Sequence, residues 1–392
     1  MRNDGKPPAA VRGRGAMRAC IALAGLLTAP LAMAAGCDLH AADATVAGAG
    51  CEQRWLDANL HLDDIQLLAT HNSYKQPLPA DAMARHRAVD PDGADGIDYA
   101  HLPLELQLAR GVRGLELDVY HDPQGGRYAH ADLPAEQAQA RRGAGFKVMH
   151  LADIDYRSSC QPFVACLQLL HAWSRAHPRH VPVVIQLNAK DEPSAPGEVQ
   201  PLPFDTPAFD ALDAEIRSVF PADMLVTPDD VQGDYPSLRE AVLAHRWPTL
   251  GQARGKFLFA LDEGPAKVAL YRGGRSSLRG RAMFVNANEE SPVAAWLTLN
   301  DPIADAGRIR NALAQGFFVR TRADADTREA RAGDIHRRDA AFASGAQVVS
   351  TDYIDADPRF GPYRVALPGG GVARCVPARA ALCAGNAIGE SP

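Results

Sequence analysis

The stretch "DIQLLATHNSY", residues 64–74, sets the first constraint on the fold. An apolar run from Ile65 to Ala69 stops at His71, Asn72 and Ser73. Buried strands of a parallel sheet read as short continuous apolar runs, so 65–70 is a strand whose far end presents an imidazole and a carboxamide together. Seven further runs repeat the pattern between helix-compatible stretches. They are 114–120 "GLELDVY", 146–150 "FKVMH", 181–187 "VPVVIQL", 255–262 "GKFLFALD", 282–287 "AMFVNA", 316–321 "GFFVRT" and 346–351 "AQVVST". Helices are expected over 163–177, 208–220 and 328–345, the last closed by Gly345. Strands alternating with helices predict an α/β protein, a single-domain (β/α)8 TIM-type barrel. An open doubly wound sheet is the alternative, but no glycine-rich nucleotide loop follows the first strand.

Strand ends in a barrel converge on one face, so polar residues there become neighbours. His71 and Asn72 end the first run, and Glu116 and Asp118 sit two apart on one side of the second. His150 ends the third, and Asn188 the fourth, with Lys190, Asp191 and Glu192 just beyond. Hard oxygen donors without thiolates suit calcium or magnesium, and calcium is favoured for an exported protein. Two histidines suit acid–base work on an attacking hydroxyl and a leaving alcohol. Together with a cation that neutralises phosphate, they describe phosphodiester cleavage. A strand-end histidine is also an ordinary cap, and paired acids an ordinary salt-bridge network; it is their common placement that points to chemistry.

The chain has 392 residues, 46% hydrophobic and 22% charged, with a net charge of -6. No basic face stands out, so there is no reason to expect a nucleic-acid partner. The N-terminus carries Arg12, Arg14 and Arg18, then "CIALAGLLTAPLAMAAG", interrupted by Pro30, with Ala32 and Ala34 spaced like a cleavage site. Residues 1–35 read as a signal peptide, with Met17 a candidate start, so the protein is expected to be secreted or periplasmic. Beyond Cys20 the remaining cysteines form three close couples, and local closure favours Cys37–Cys51, Cys160–Cys166 and Cys375–Cys383. None has the tight spacing of a zinc site. "AAGC" at 34–37 also admits a lipoprotein reading, with lipid on Cys37. The mature chain then divides into a barrel over 36–365 and a Gly-rich tail over 366–392 tied by its cysteine pair.

The segments "LLATHNSY", "GLELDVYHDP", "VMHLADIDYRSSC", "HPRHVPVVIQLNAKDE", "GKFLFALDEG" and "VRTRADADTREAR…ASGAQVVSTDY" resemble the secreted, calcium-dependent phosphoinositide-specific phospholipase C family. The resemblance runs in order from about Leu56 to Tyr363. It implies a barrel-shaped phosphodiesterase acting as a monomer on a phosphoinositide lipid at a membrane surface. Diacylglycerol and a (cyclic) inositol phosphate would be its products. It further implies that His71 and His150 are catalytic and that Asn72, Glu116 and Asp118 hold Ca2+. At the position of Asn188 the family pattern usually has a glutamate, so one ligand charge is missing. Lys190, Arg320, Arg322 and Tyr353 are expected to bind substrate, with Asp352 lining the pocket. His130 is a lesser candidate for the second catalytic histidine, and Trp173 and Trp247 read as core. Relatives acting on polyphosphorylated lipids place lysines where this chain has Ala260 and Asp262. Two other functions compete. A glycerophosphodiester phosphodiesterase typically has Arg after the first His, where Asn72 stands. A non-catalytic inositol-lipid or glycan-binding barrel would need neither histidine.

Overall fold

A computed structural model describes residue 1 and residues 50–194, 199–383 and 387–390. The leader, the Cys37 lipid site and the Cys37–Cys51 pairing therefore lie outside the described residues. Cys51 is itself disulfide-bonded, and Cys160–Cys166 and Cys375–Cys383 are both formed.

Strands are numbered in chain order: β1 (Ile65–Thr70), β2 (Gly114–Tyr120), β3 (Lys147–Val148), β4 (Val183–Ala189), β5 (Leu225–Val226), β6 (Phe257–Leu261), β7 (Met283–Val285), β8 (Trp296–Thr298), β9 (Phe318–Arg322), β10 (Val348–Thr351) and β11 (Ala373–Cys375). Parallel pairing runs β6-β4-β2-β1-β10-β9-β8. On the other edge of β6, β7 pairs in parallel, and a parallel bridge between Asn286 and Trp296 joins β7 to β8. Eight parallel strands thus close on themselves, as the apolar runs predicted. Nearly every strand residue is buried, because helices cover the outside and side chains fill the inside.

Two strands differ from expectation. The run at 146–150 forms only β3, which lies antiparallel to the end of β2 and outside the barrel. The eighth barrel strand is instead β8, whose three residues are too few to announce themselves by pattern. The expected helix over 328–345 breaks into Arg328–Ala332 and His336–Ser344, because Gly333 turns left-handed at φ 65°.

The outer helices show why they dock. Helix Phe163–Ala176 buries Phe163, Cys166, Leu167 and Leu170, a single stripe at helical spacing. Helix Thr206–Val219 buries Phe209, Leu212 and Ile216, and the Asp205 carboxylate accepts the Ala208 N–H at its start. At the amino ends of the barrel strands, Trp247 is buried with its indole N–H on the Gly316 carbonyl. Trp173 packs under the Arg113 guanidinium. Both tryptophans are structural.

Candidate active site

The carboxyl ends of the strands bring the expected residues into one mouth. In the β2–β4 register Glu116 lies beside Gln186 and Asp118 beside Asn188, so the two acids and two carboxamides form adjacent rows. The Asn188 amide donates to Glu116 at 3.0 Å and to Asp118 at 2.9 Å. Arg320, buried in β9, donates to Glu116 at 2.6 Å, and Lys190 lies 3.0 Å from Asp118. Gln186 links Glu116 to Asp262, its amide 3.2 and 3.0 Å from the two carboxylates. Burial, with Asp118 and Asp262 nearby, pushes Glu116 up to about 7 despite Arg320.

The turn after β1 is bent for a reason. Asn72 takes a left-handed φ of 49°, a conformation asparagine tolerates better than most residues. Ser73 pins the turn to β2: its N–H donates to the Glu116 carbonyl at 2.9 Å, and its hydroxyl accepts the Glu116 N–H at 2.8 Å. His71 is thereby held with Nδ1 2.8 Å from Asp352 and 3.0 Å from the Tyr99 hydroxyl, while Nε2 points toward Glu116 at 3.6 Å. Burial, reinforced by the Arg322 and Arg320 charges, holds the imidazole well below the ordinary histidine range. Neutral His71 donates its Nδ1–H to Asp352 and keeps the Nε2 lone pair free. Asn72 donates to the Tyr99 hydroxyl at 2.9 Å, and its Oδ1 accepts from Tyr74 at 3.4 Å.

His150 follows β3 rather than a barrel strand, and its Nδ1 lies 3.0 Å from Asp155. Arg322 reaches Asp352 at 3.2 Å and His71 Nδ1 at 3.3 Å. Arg320 is committed to Glu116 and Asn300 inside the barrel, which excludes a solvated surface arginine. Tyr353 is buried behind Asp352, its hydroxyl without a hydrogen-bond partner. His130 stacks flat on Tyr156 at 3.7 Å in a loop. Asp191 and Glu263 share Lys267.

Tyr99, Lys75, Asp155 and Gln186 escaped the sequence reading. Lys75 stood in plain view in "THNSYK", but nothing in a pattern marks a lysine as buried. Tyr99 arrives from the long segment between β1 and β2, where no periodicity points at the mouth.

As a cation site, the mouth offers hard oxygens from Asn72, Glu116, Asp118 and Asn188. The Asp118 Oδ2 atom is buried and faces only Lys190, at 3.0 Å. Their chemistry fits calcium. Among the described residues no group of three or more His, Cys, Asp or Glu could hold a metal. The donor set itself has two carboxylates, Glu116 and Asp118, beside two carboxamides.

The family model "Phosphoinositide phospholipase C, Ca2+-dependent" matches residues 60–377. Among solved structures, the chain is similar to a calcium-dependent phosphoinositol-specific phospholipase C from a Gram-negative bacterium, Pseudomonas sp., in an apo form. That match has a TM-score of 0.51 and 17% identity, covering 82% of this chain and 96% of the other. The myoinositol complex of the Pseudomonas enzyme matches with a TM-score of 0.51 and 18% identity, over 81% and 96% of the two chains. At such identity these two likenesses speak to the fold alone. Curated proteins yield no match.

Proposed function

The chain belongs to the Ca2+-dependent phosphoinositide phospholipase C family, and on that premise we propose how its own residues cleave phosphatidylinositol. The observation that carries the reading is His71, held through Nδ1 by Asp352 so that Nε2 faces the acid and amide rows. The inositol 2-hydroxyl gives its proton to His71 Nε2 as its oxygen attacks phosphorus. His150, oriented by Asp155, gives a proton from Nε2 to the glycerol oxygen as the P–O bond to it breaks. Diacylglycerol leaves, and a cyclic inositol phosphate remains. Asp352 stabilises the imidazolium formed on His71.

Asn72, Glu116, Asp118 and Asn188 would hold calcium, which supplies charge neutralisation at the phosphate. Lys190 and Arg322 border the same mouth and would meet the phosphate or inositol hydroxyls. Tyr353 would support that wall from behind. Arg320 supports the site by fixing Glu116. The leader and paired cysteines support action outside the cytoplasm, in a secreted or periplasmic enzyme. Every group invoked comes from one chain, so a monomer suffices. A barrel over 36–365 with a tail over 366–392 remains the domain reading.

The test is an assay of phosphatidylinositol, glycerophosphoinositol and a simple phosphodiester, each with calcium and with chelator. Calcium-dependent cleavage of the lipid is expected, and His71→Ala and His150→Ala should each lower turnover by roughly 10²–10⁴-fold. His130→Ala should be far milder. Undiminished activity in chelator, or loss in His130→Ala equal to that in His150→Ala, would overturn the assignment.

A further inference from the structure

Lys75 has no part in the reaction above, yet its side chain is wholly buried at 0% exposure. A lysine is rarely buried without a partner, because desolvating an ammonium is costly. Its Nζ lies 2.7 Å from Asp155 Oδ2, which is also 0% exposed. That same oxygen faces His150 Nδ1 at 3.0 Å. On its other side the ammonium stands 5.1 Å from the centre of the Tyr99 ring, whose hydroxyl touches His71 and Asn72. Lys75 therefore lies between the supports of the two histidines.

The backbone is joined at the same place. Lys75 and Ser158 form an antiparallel bridge, and the Ser159 N–H donates to the Tyr74 carbonyl at 2.8 Å. The turn after β1 and the loop carrying His150 are one assembly, although His150 does not end a barrel strand.

We propose that Lys75 and Asp155 are positioning residues: a buried ion pair that locks the His150 loop onto the His71 turn and keeps Nδ1–H of His150 on Asp155, so that the proton given to substrate is the one on Nε2. This rests on the reading that His150 acts in catalysis. An isolated buried carboxyl takes up a proton. Protonated Asp155 would donate a hydrogen bond and favour the opposite imidazole tautomer. The adjoining ammonium prevents this: burial raises the Asp155 carboxyl, but Lys75 and His150 outweigh it and hold it below the usual range. One cation thus sets the proton position on an imidazole it does not touch.

The test uses the full-length enzyme with nitrogen-labelled histidine. In Lys75→Met and Asp155→Asn, NMR should show His150 losing the Nδ1–H tautomer. Turnover should drop roughly 10–100-fold with KM within about twofold. The double variant Lys75→Met/Asp155→Asn removes both charges of the pair and leaves neither one unpaired, so it should recover thermal stability without recovering kcat. Should Lys75→Met fail to fold, Asp155→Asn and the double variant still decide. An unchanged His150 tautomer in Asp155→Asn overturns the proposal. So does a double variant whose kcat returns with its stability, for that is a purely structural pair. If His150→Ala itself keeps its turnover, the catalytic reading fails, while the tautomer measurement still judges the lock.

Discussion

Asn188 and Asp262 are the residues through which this mouth differs most in charge from what its family resemblance implies. The Asn188 amide spans Glu116 and Asp118, where a carboxylate would repel both unless a cation stood between them. Lys190 on Asp118 and Arg320 on Glu116 already answer part of the acid charge from within the chain. Calcium affinity should therefore be modest, since ligand charge count tunes it. Asn188→Glu should tighten calcium binding by roughly tenfold and destabilise the metal-free protein. Calorimetric titration measures the first effect, and unchanged affinity would remove Asn188 from the metal. Asp262 bears on substrate choice. It is buried and held by Gln186 at 3.0 Å and Asn286 at 2.9 Å, with burial raising its carboxyl. A phosphate on the inositol ring adds about one and a half to two negative charges. Brought near Asp262, it meets a like charge, and Arg320 is already committed to Glu116. Phosphatidylinositol should outperform its 4,5-bisphosphate in kcat/KM in the same mixed micelles at fixed free calcium. Equal rates would sink the idea.

Among the elements, those with long apolar runs were legible and those without were not. β1, β2, β4, β6, β7, β9 and β10 were readable because each lies in a continuous buried run. "WLT" at β8 is too short for its pattern to be heard, while "FKVM" at β3 carries a barrel-like pattern that antiparallel pairing with β2 uses differently. The histidine after β3 nevertheless lies at the mouth, because its loop is tied to the turn after β1 through the bridge at Ser158. Its support was not, since a buried ion pair leaves no periodic trace. Glycine at the start of β2 shows how tightly elements meet. A Cβ added at Gly114 would lie 2.4 Å from the Ala69 Cβ and 3.2 Å from its Cα, across the one paired position of β1 and β2. Neither strand can retreat without moving His71 or Glu116. Gly114→Ala should cost about 1–3 kcal/mol by overpacking and should also lower kcat. Urea unfolding and steady-state kinetics measure the two effects. A variant of unchanged stability would mean that the strands have slack.

At the scale of the whole molecule, the chain's last residues close the base of the barrel. β11 lies antiparallel to β1, and Ile388 bridges to Ala373. Beyond it Glu390 accepts two hydrogen bonds from Arg113, at 2.7 and 2.5 Å, and one from the Val181 N–H at 2.6 Å. Arg113 is only 3% exposed, so it depends on that carboxylate and on the Trp173 ring beneath it. His180 stands alongside, its Nδ1–H on the Val181 carbonyl at 2.7 Å and its Nε2 2.8 Å from the Ser174 hydroxyl. Burial lowers His180 to about 4; Glu390 works against this and Arg113 and His177 add to it. The unfolded chain then binds a proton at His180 that the folded chain refuses, so stability falls as pH drops from about 6.5 toward 4, by up to about 3 kcal/mol. Glu390 adds a second, lower limb. Burial alone would raise its carboxyl, but Arg113 outweighs burial and holds it below the usual range. Its contribution is present above the unfolded carboxyl pKa and disappears as pH falls through the folded one. Glu390→Gln should cost roughly 3 kcal/mol at neutral pH by leaving Arg113 uncompensated, flatten the lower limb, and steepen the His180 limb, since Glu390 no longer opposes the lowering of that imidazole. Urea midpoints followed from about pH 7 to 2.5 separate the two. A Glu390→Gln curve parallel to the parent at every pH would mean that the acid sensitivity arises elsewhere than at the barrel base.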